Sequence, residues 1–166
     1  MHNPLISFRK YQRLLFLVFS MVLYNPISSF AQQKTTQSEK KNMEEDVLVL
    51  INQYRKKMGL TPLKMNSKIT EVALTHSRNM ASGQTAFGHD GFEGRTEQLR
   101  NEISNVYAEA ENVAYGATSA KEVVNMWLHS PGHKKNIEGK YNLTGIAIVE
   151  DDSGTLFFTQ LFLRKQ

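Results

Sequence analysis

The sequence predicts an α+β fold in which helices cover both faces of a small antiparallel sheet. Two stretches near the end of the chain, residues 142–150 and 155–165, have the character of strands and are joined by a short acidic turn that contains a glycine, which predicts a β-hairpin. The second stretch is apolar on both of its faces. This pattern is typical of a strand that is covered by helices on both sides.

The start of the chain predicts a secretory signal peptide at residues 1–31. Basic residues precede an apolar run at residues 14–24, and a small-x-small cleavage site ends at Ala31. The run is shorter than the roughly 20 apolar residues that a transmembrane helix requires. We therefore expect a secreted or periplasmic protein without a transmembrane anchor, in which polar residues 32–41 form a disordered tether and residues 42–166 form the domain.

Composition narrows the classes of function. The chain has 166 residues, no cysteine and a formal net charge of +4. Three of its basic residues lie in the predicted signal peptide, so the mature chain is nearly neutral and nothing in its charge favours binding to nucleic acid. Without cysteine, disulfides and Cys-type zinc sites are excluded. The length suits one domain, which we expect to be a monomer.

Two helices are predicted in the first half of the domain. The first opens at Asn42, with a glutamate three residues later, and ends at Lys57. The second is capped by Asn66 or Ser67 and carries His76 on its apolar face. A single histidine on such a face is more often a packed, hydrogen-bonded core residue than a ligand, and this is the role that we predict for His76.

A glycine-rich loop at residues 84–94 follows and carries His89. Phenylalanines on both sides of His89 could anchor this loop, which makes His89 a candidate site residue. Residues 95–103 predict a short helix.

Alternation at residues 105–115 predicts a strand. Glu109 and Glu111 share one face of this strand with Val113. At least one of the two carboxylates should therefore be drawn toward the interior, although a surface strand with solvated acids is the alternative.

A helix that Ser119 caps is predicted to end near Ser130, because Pro131 disfavours helical geometry in the residue before it. Pro131 also suits the first position of a new helix, for which Ser130 would be the N-cap residue. His133 is then the third residue of that helix. Its charged form should be disfavoured by the helix start and by the two lysines that follow.

His89, Glu111 and His133 are thus the polar candidates on a loop, a strand and a helix start. Two imidazoles and a carboxylate suit zinc or another divalent cation, with water as the fourth ligand. Their spacing matches no local zinc motif such as HExxH.

Five blocks of sequence carry a resemblance to a known family: AxxHSxxM at residues 73–80, FGHDGF at 87–92, ENVAYG at 111–116, VVNMWLHSPGHKKNI at 123–137, and TGIAI with FFTQLF near the end. In this order they resemble the CAP family (cysteine-rich secretory protein, antigen 5, pathogenesis-related 1) in its bacterial, disulfide-free form. The resemblance covers about residues 43–163. It implies a three-layer α-β-α sandwich whose cleft carries a His, Glu, Glu, His tetrad.

By this resemblance, the first histidine of the tetrad is His89, the first glutamate is Glu111 and the last histidine is His133. The position of the second glutamate holds Ser130, and Ala110 stands where the family usually has a glycine. The resemblance therefore implies a cleft that lacks one carboxylate but retains two imidazoles able to chelate a divalent ion.

Several functions stay open from the sequence. The first is a module that binds an envelope or extracellular ligand, or a divalent metal, in its His/Glu/His cleft. The second is a metal-assisted hydrolase, peptidase or esterase-like, with Glu111 or a histidine as general base. A variant with Ser130 as nucleophile and His133 as its base is disfavoured, because capping would occupy the hydroxyl and no Gly-x-Ser-x-Gly motif is present. Lipid or sterol binding is a further alternative that the resemblance implies.

Overall fold

The computed structural model describes residues 34–166, and the predicted signal peptide lies outside them. The elements follow in the order α1 (Gln37–Lys57), β1 (Lys64–Met65), α2 (Ser67–Ala81), α3 (Phe92–Glu102), β2 (Val106–Tyr115), α4 (Ala120–His129), α5 (Pro131–Ile137), β3 (Leu143–Glu150) and β4 (Leu156–Lys165). The α+β class is confirmed. Within residues 34–166, none of the helices combines the length and the apolar content that a membrane span requires.

Four strands form one sheet in the order β1-β3-β4-β2. Strands β3 and β4 are the predicted hairpin and pair antiparallel. Strand β2 pairs antiparallel with β4 and places Glu111 opposite Leu161. Strand β1, which pairs parallel with β3, was not predicted because two residues carry no periodicity. Because strand β2 is last in this order and pairs only with β4, it is an edge strand.

Both faces of the sheet are covered by helices. Helices α1, α4 and α5 cover one face, where the core includes Val47, Ile51, Trp127, Ile137, Ile146, Phe158 and Phe162. Helices α2 and α3 cover the other face, with Ile69, Val72, Leu99, Ala147, Leu161 and Leu163. The two sets alternate along β3 and β4, as the apolar residues on both faces of the hairpin predicted. The three-layer α-β-α sandwich is confirmed.

Helix α2 comes very close to strand β3 at Gly145. A Cβ atom at this position would lie 2.3 Å from the main-chain carbon of Ile69 and 2.3 Å from the main-chain nitrogen of Thr70. Main-chain atoms of a helix that is packed against a sheet have little freedom to move aside. The absence of a side chain at Gly145 therefore sets the distance between this helix and the sheet.

Helix α1 begins earlier than predicted, at Gln37 and not at Asn42. Thr36 is its N-cap residue, and its hydroxyl accepts a hydrogen bond from the main-chain nitrogen of Glu39 at 3.2 Å. The carboxylate of Glu39 accepts one from the main-chain nitrogen of Thr36 at 2.8 Å, which completes a capping box. The prediction of a disordered tether is therefore wrong for residues 37–41, which are helical.

The start of α1 is also attached to the end of β3. The ammonium group of Lys40 lies 3.8 Å from the carboxylate of Glu150, and both side chains are largely buried. The main-chain nitrogen of Thr35 donates to the same carboxylate at 2.7 Å. These tertiary contacts explain why a polar segment without apolar periodicity is ordered.

Side chains cover the outer edge of β2. Trp127, Asn136 and Tyr141 donate hydrogen bonds to the main-chain carbonyls of Val113, Glu111 and Glu109, at 3.2, 3.0 and 3.4 Å respectively. Main-chain carbonyls that do not pair within a sheet need such partners when they are buried. Strand β2 is thus tied to helices α4 and α5 and to the loop that follows α5.

Candidate functional site

The candidate site lies in the middle of β2, where side chains from both helical layers meet. The side chain of Glu111 faces α2 and α3, whose residues His76 and Arg95 are near its carboxylate. Its neighbour Asn112 faces α5 and donates to the main-chain carbonyl of His133 at 3.2 Å. Glu111, His89 and His133, which were predicted to converge, therefore lie around one strand.

The carboxylate of Glu111 is buried, with 2% of the side chain exposed, and is held on both oxygens. Arg95 donates from Nε to Oε2 and from Nη2 to Oε1, each at 2.8 Å. Nδ1 of His89 donates to Oε1 at 2.9 Å. Bidentate arginine pairs of this kind are strong and directional. Glu111 is therefore placed to orient His89, and this geometry does not support the predicted alternative of Glu111 as a general base.

His89 presents one ring nitrogen to the cleft. Because a carboxylate can only accept a hydrogen bond, Nδ1 of His89 carries the proton, and Nε2 of the neutral ring is an acceptor. The side chain is 53% exposed, so this nitrogen is accessible to a ligand. A carboxylate behind an imidazole is the usual device that fixes the tautomer of a functional histidine.

Buried side chains hold the main chain of the loop that carries His89. His76 donates from Nε2 to the carbonyl of Gly88 at 2.9 Å. Arg95 donates from Nη1 to the carbonyl of Asp90 at 2.8 Å and from Nη2 to the carbonyl of His89 at 3.4 Å. The position of His89 is thus set through its own main chain as well as through its ring.

His76 is a core residue, as predicted. Only 1% of its side chain is exposed, and its Nε2 lies 3.8 Å from Oε1 of Glu111. Burial lowers the pKa of His76, against the opposing effect of the negative charge of Glu111. His76 is therefore neutral at pH 7, and its role is to hold the loop.

His133 is the third residue of α5, as predicted. Burial lowers its pKa, and the neighbouring His89 acts in the same direction. The direction of this shift was predicted, but its main cause is burial and not the helix start or the two lysines. His133 is therefore a neutral imidazole at pH 7.

Ser130 has the extended main chain of an N-cap residue but makes no side-chain capping bond. The predicted role of its hydroxyl is therefore wrong. Helix α5 starts instead through Pro131 and through the bond from the main-chain nitrogen of Lys134 to the carbonyl of Ser130, at 2.8 Å. Ser130 lines a pocket together with His133.

The donor set does not fit a catalytic zinc ion. Such sites have three protein ligands, with zinc–nitrogen distances of about 2.0–2.1 Å. The ring centroids of His89 and His133 are 6.5 Å apart and the ring planes are inclined by 58°, so two imidazoles lie near one another. Within residues 34–166, no group of three or more His, Cys, Asp or Glu side chains is placed to hold a metal ion. The predicted third group, Glu111, is occupied by Arg95.

An apolar pocket of about 300 Å³ opens beside His133. Its lining residues are Phe87, Val113, Ala114, Tyr115, Met126, Trp127, Ser130 and His133. Three of them are unusually exposed for large apolar side chains: 46% of Phe87, 53% of Tyr115 and 43% of Met126. The rings of Phe87 and Tyr115 are in edge contact, with centroids 4.7 Å apart. The pocket thus combines an apolar wall with one imidazole and one hydroxyl.

Arg95 is the site residue that the sequence did not reveal. Helix α3 begins at Phe92 and not at the predicted residue 95, because Gly91 adopts a left-handed conformation with φ 78°. Arg95 lies in the first turn of this helix and bonds to Glu111 on β2. The sequence does contain a signal: α3 carries two arginines, β2 carries two glutamates, and the second arginine, Arg100, pairs with Glu109 in the same bidentate way.

The sequence and the fold are similar to those of known proteins. The sequence signature of the Cysteine-rich secretory protein family (CAP) matches residues 48–162. The uncharacterized protein YkwD of Bacillus subtilis is 31% identical over 124 residues, which are 74% of this chain and 47% of YkwD. The chain therefore spans about half the length of that relative.

Two solved structures show the same fold. An outer surface protein from Borrelia burgdorferi has a TM-score of 0.65 at 22% identity, and the match covers 76% of this chain and 96% of the Borrelia chain. An extracellular protein containing a SCP domain from Bacillus anthracis has a TM-score of 0.67 at 24% identity, over 79% of this chain and 44% of its own. Because the family signature extends over most of the described residues, the chain belongs to the Cysteine-rich secretory protein (CAP) family.

Proposed function

We propose that the chain is an extracytoplasmic binding module. Its ligand would place a compact apolar group against Phe87, Tyr115 and Met126, and a hydrogen-bonding group against the imidazoles of His89 and His133. The observation that carries this proposal is the apolar pocket that has His133 in its wall. Apolar pockets with a few convergent polar groups are the usual form of a small-ligand site.

The polar side of the site suits a ligand that donates hydrogen bonds. Nε2 of His89 is the ring nitrogen left for a ligand, because Nδ1 is bound to Glu111, and in the neutral ring Nε2 accepts a hydrogen bond. His133 is neutral, so it too has an accepting ring nitrogen. Hydroxyl or amide groups of an envelope component or an extracellular peptide would fit these acceptors.

Export is part of this proposal. The predicted signal peptide supports it, and so do two similar structures, one of an outer surface protein and one of an extracellular protein. We propose a secreted or periplasmic location.

A titration with N-acetyltryptophanamide, followed by NMR, tests the binding proposal. This probe has one aromatic group and two amide donors. Signals of Met126 and His133 should shift, and Met126→Gln should weaken binding by removing part of the apolar wall. Val49→Gln is the matched control, because Val49 is 51% exposed on α1 and does not line this pocket. Equal binding by wild type and Met126→Gln would contradict the proposed pocket.

A serine hydrolase is the second candidate. The observation that favours it is Ser130, whose hydroxyl makes no capping bond and which lines the same pocket as His133. Incubation with p-nitrophenyl acetate measures this activity. Turnover that both Ser130→Ala and His133→Ala abolish would support an acyl-enzyme mechanism. No turnover above the uncatalysed rate would leave the binding module as the function.

A further inference from the structure

We infer that Arg95 determines which ligands the cleft accepts. Arg95 holds both oxygens of Glu111 and so keeps this carboxylate from a divalent cation, which would need it beside the two imidazoles. Arg95 is thus a specificity-determining residue, placed behind the cleft and not in it. The inference goes beyond the proposed binding function, and it does not depend on which ligand fills the apolar pocket.

The geometry of the pair carries this inference. The guanidinium donates from Nε and Nη2 to the two different oxygens of Glu111, both at 2.8 Å. The side chain of Arg95 is 13% exposed and that of Glu111 is 2% exposed. A cation that recruited this carboxylate would have to displace a buried arginine and leave its charge unpaired. Removing one partner of a buried ion pair is costly, so the pair resists such an exchange.

The charge of Arg95 acts in the same direction as its geometry. The negative charge of Glu111 is the one that would attract a divalent ion to the two imidazoles, and the guanidinium of Arg95 neutralises it at hydrogen-bond distance. Without Glu111, only the ring nitrogens of His89 and His133 remain as ligands. This is fewer than the three protein ligands of a catalytic zinc site.

Arg95 also helps to determine which ring nitrogen of His89 is left for a ligand. Its Nη1 and Nη2 hold the carbonyls of Asp90 and His89, while Glu111 holds Nδ1 of His89. The ring therefore keeps Nε2 as the accepting atom. Removing Arg95 frees the carboxylate of Glu111 and at the same time loosens the loop that carries His89. Glu111, His89 and His133 can then approach a common ion.

Zinc titration by isothermal calorimetry at pH 7.5 tests this inference. Arg95→Met should bind zinc more tightly than wild type, by about 10- to 100-fold, which is the range over which groups behind a metal site change its affinity. The matched control is Arg100→Met, because Arg100 forms the same bidentate pair with Glu109 from the same helix to the same strand. Zinc affinity should be unchanged in that control.

Two further variants separate specificity from a merely structural effect. The gain in affinity should be lost in Arg95→Met combined with Glu111→Gln, and also in Arg95→Met combined with His133→Ala, because each removes one ligand. If Arg95→Met alone is poorly folded, zinc should raise its melting temperature, because a metal that binds only the native state stabilises it.

Three results would overturn the inference: equal zinc affinity in wild type and Arg95→Met, a gain that survives Glu111→Gln, or an Arg95→Met protein that zinc neither binds nor refolds. The binding proposal would be untouched by any of them, because it is tested by N-acetyltryptophanamide and not by zinc.

Discussion

The side-chain amide of Asn136 donates to the main-chain carbonyl of Glu111 at 3.0 Å, so a residue of α5 completes the hydrogen bonding of the strand residue at the centre of the site. The same amide donates to Oδ1 of Asn112 at 2.9 Å, and Asn112 donates in turn to the carbonyl of His133. The position of His133 relative to Glu111 therefore rests on two side-chain amides.

Asn136→Ala should lower the free energy of unfolding by about 1–3 kcal/mol, because it leaves a buried carbonyl without its donor. Urea denaturation measures this change. Asn101→Ala is the control, since Asn101 is exposed on α3 and its loss should change stability by less than about 0.5 kcal/mol. Equal stabilities of the two variants would show that the bond to Glu111 contributes nothing.

Gly145→Ala should destabilise the protein by about 1–3 kcal/mol or more, because the new methyl group would overlap the main chain of α2. Gly94→Ala should do the reverse. Gly94 lies in α3 with no atom within 4 Å of a new Cβ, so alanine there should stabilise the helix by about 0.4–1 kcal/mol. Thermal unfolding compares the two, and a tolerated Gly145→Ala would contradict the close approach of α2 to β3.

The stability of the protein should fall as the pH decreases from about 7 toward the folded-state pKa of His76 and His133. Burial lowers the pKa of both imidazoles in the folded protein, whereas in the unfolded chain they take up a proton near pH 6.5. The unfolded state therefore binds more protons in this range, which favours unfolding. Below the folded-state pKa values the two states bind equally, and this contribution stops changing.

Urea denaturation at pH 7.5 and pH 5.5 measures this effect. His76→Gln keeps a donor for the carbonyl of Gly88 but does not titrate, so it should lose less stability between the two pH values than wild type. His129→Gln is the control, because His129 is exposed. A loss in His76→Gln as large as in wild type would exclude His76 as a source of the pH dependence.

Ser130→Ala should leave the free energy of unfolding within about 0.5 kcal/mol of wild type, because its hydroxyl makes no capping bond. Asn66→Ala provides the comparison. The Asn66 side chain accepts bonds from the main-chain nitrogens of Lys68 and Ile69 at 3.0 and 3.3 Å, so its loss should cost about 1 kcal/mol. A comparable loss in Ser130→Ala would show that its hydroxyl caps α5 in solution.

Local signals explain which elements could be predicted. Helix α2 was predictable because Asn66 caps it and its apolar residues keep a strict spacing, and the hairpin was predictable because its turn lies between two patterned strands. The start of α1 was not, since its order depends on the contact of Lys40 with Glu150, far away in sequence.

The site was predictable to the extent that its residues share motifs. The histidines and Glu111 lie in recognisable blocks, whereas Arg95 gains its role only when α3 packs against β2. Ser130 shows a different limit. Its place before Pro131 correctly predicts where the helix begins, but the direction of its hydroxyl depends on the side-chain rotamer, which a capping pattern does not specify.

The covered edge of β2 has a consequence for how the protein behaves at high concentration. An open edge strand invites a strand of another copy to pair with it, which is a common route to aggregation. Here the outward carbonyls of residues 109, 111 and 113 already have donors. At the opposite edge, β1 offers only two residues. The main-chain carbonyls of β2 are therefore not available to a strand of another copy, which makes edge-to-edge pairing at β2 less favourable.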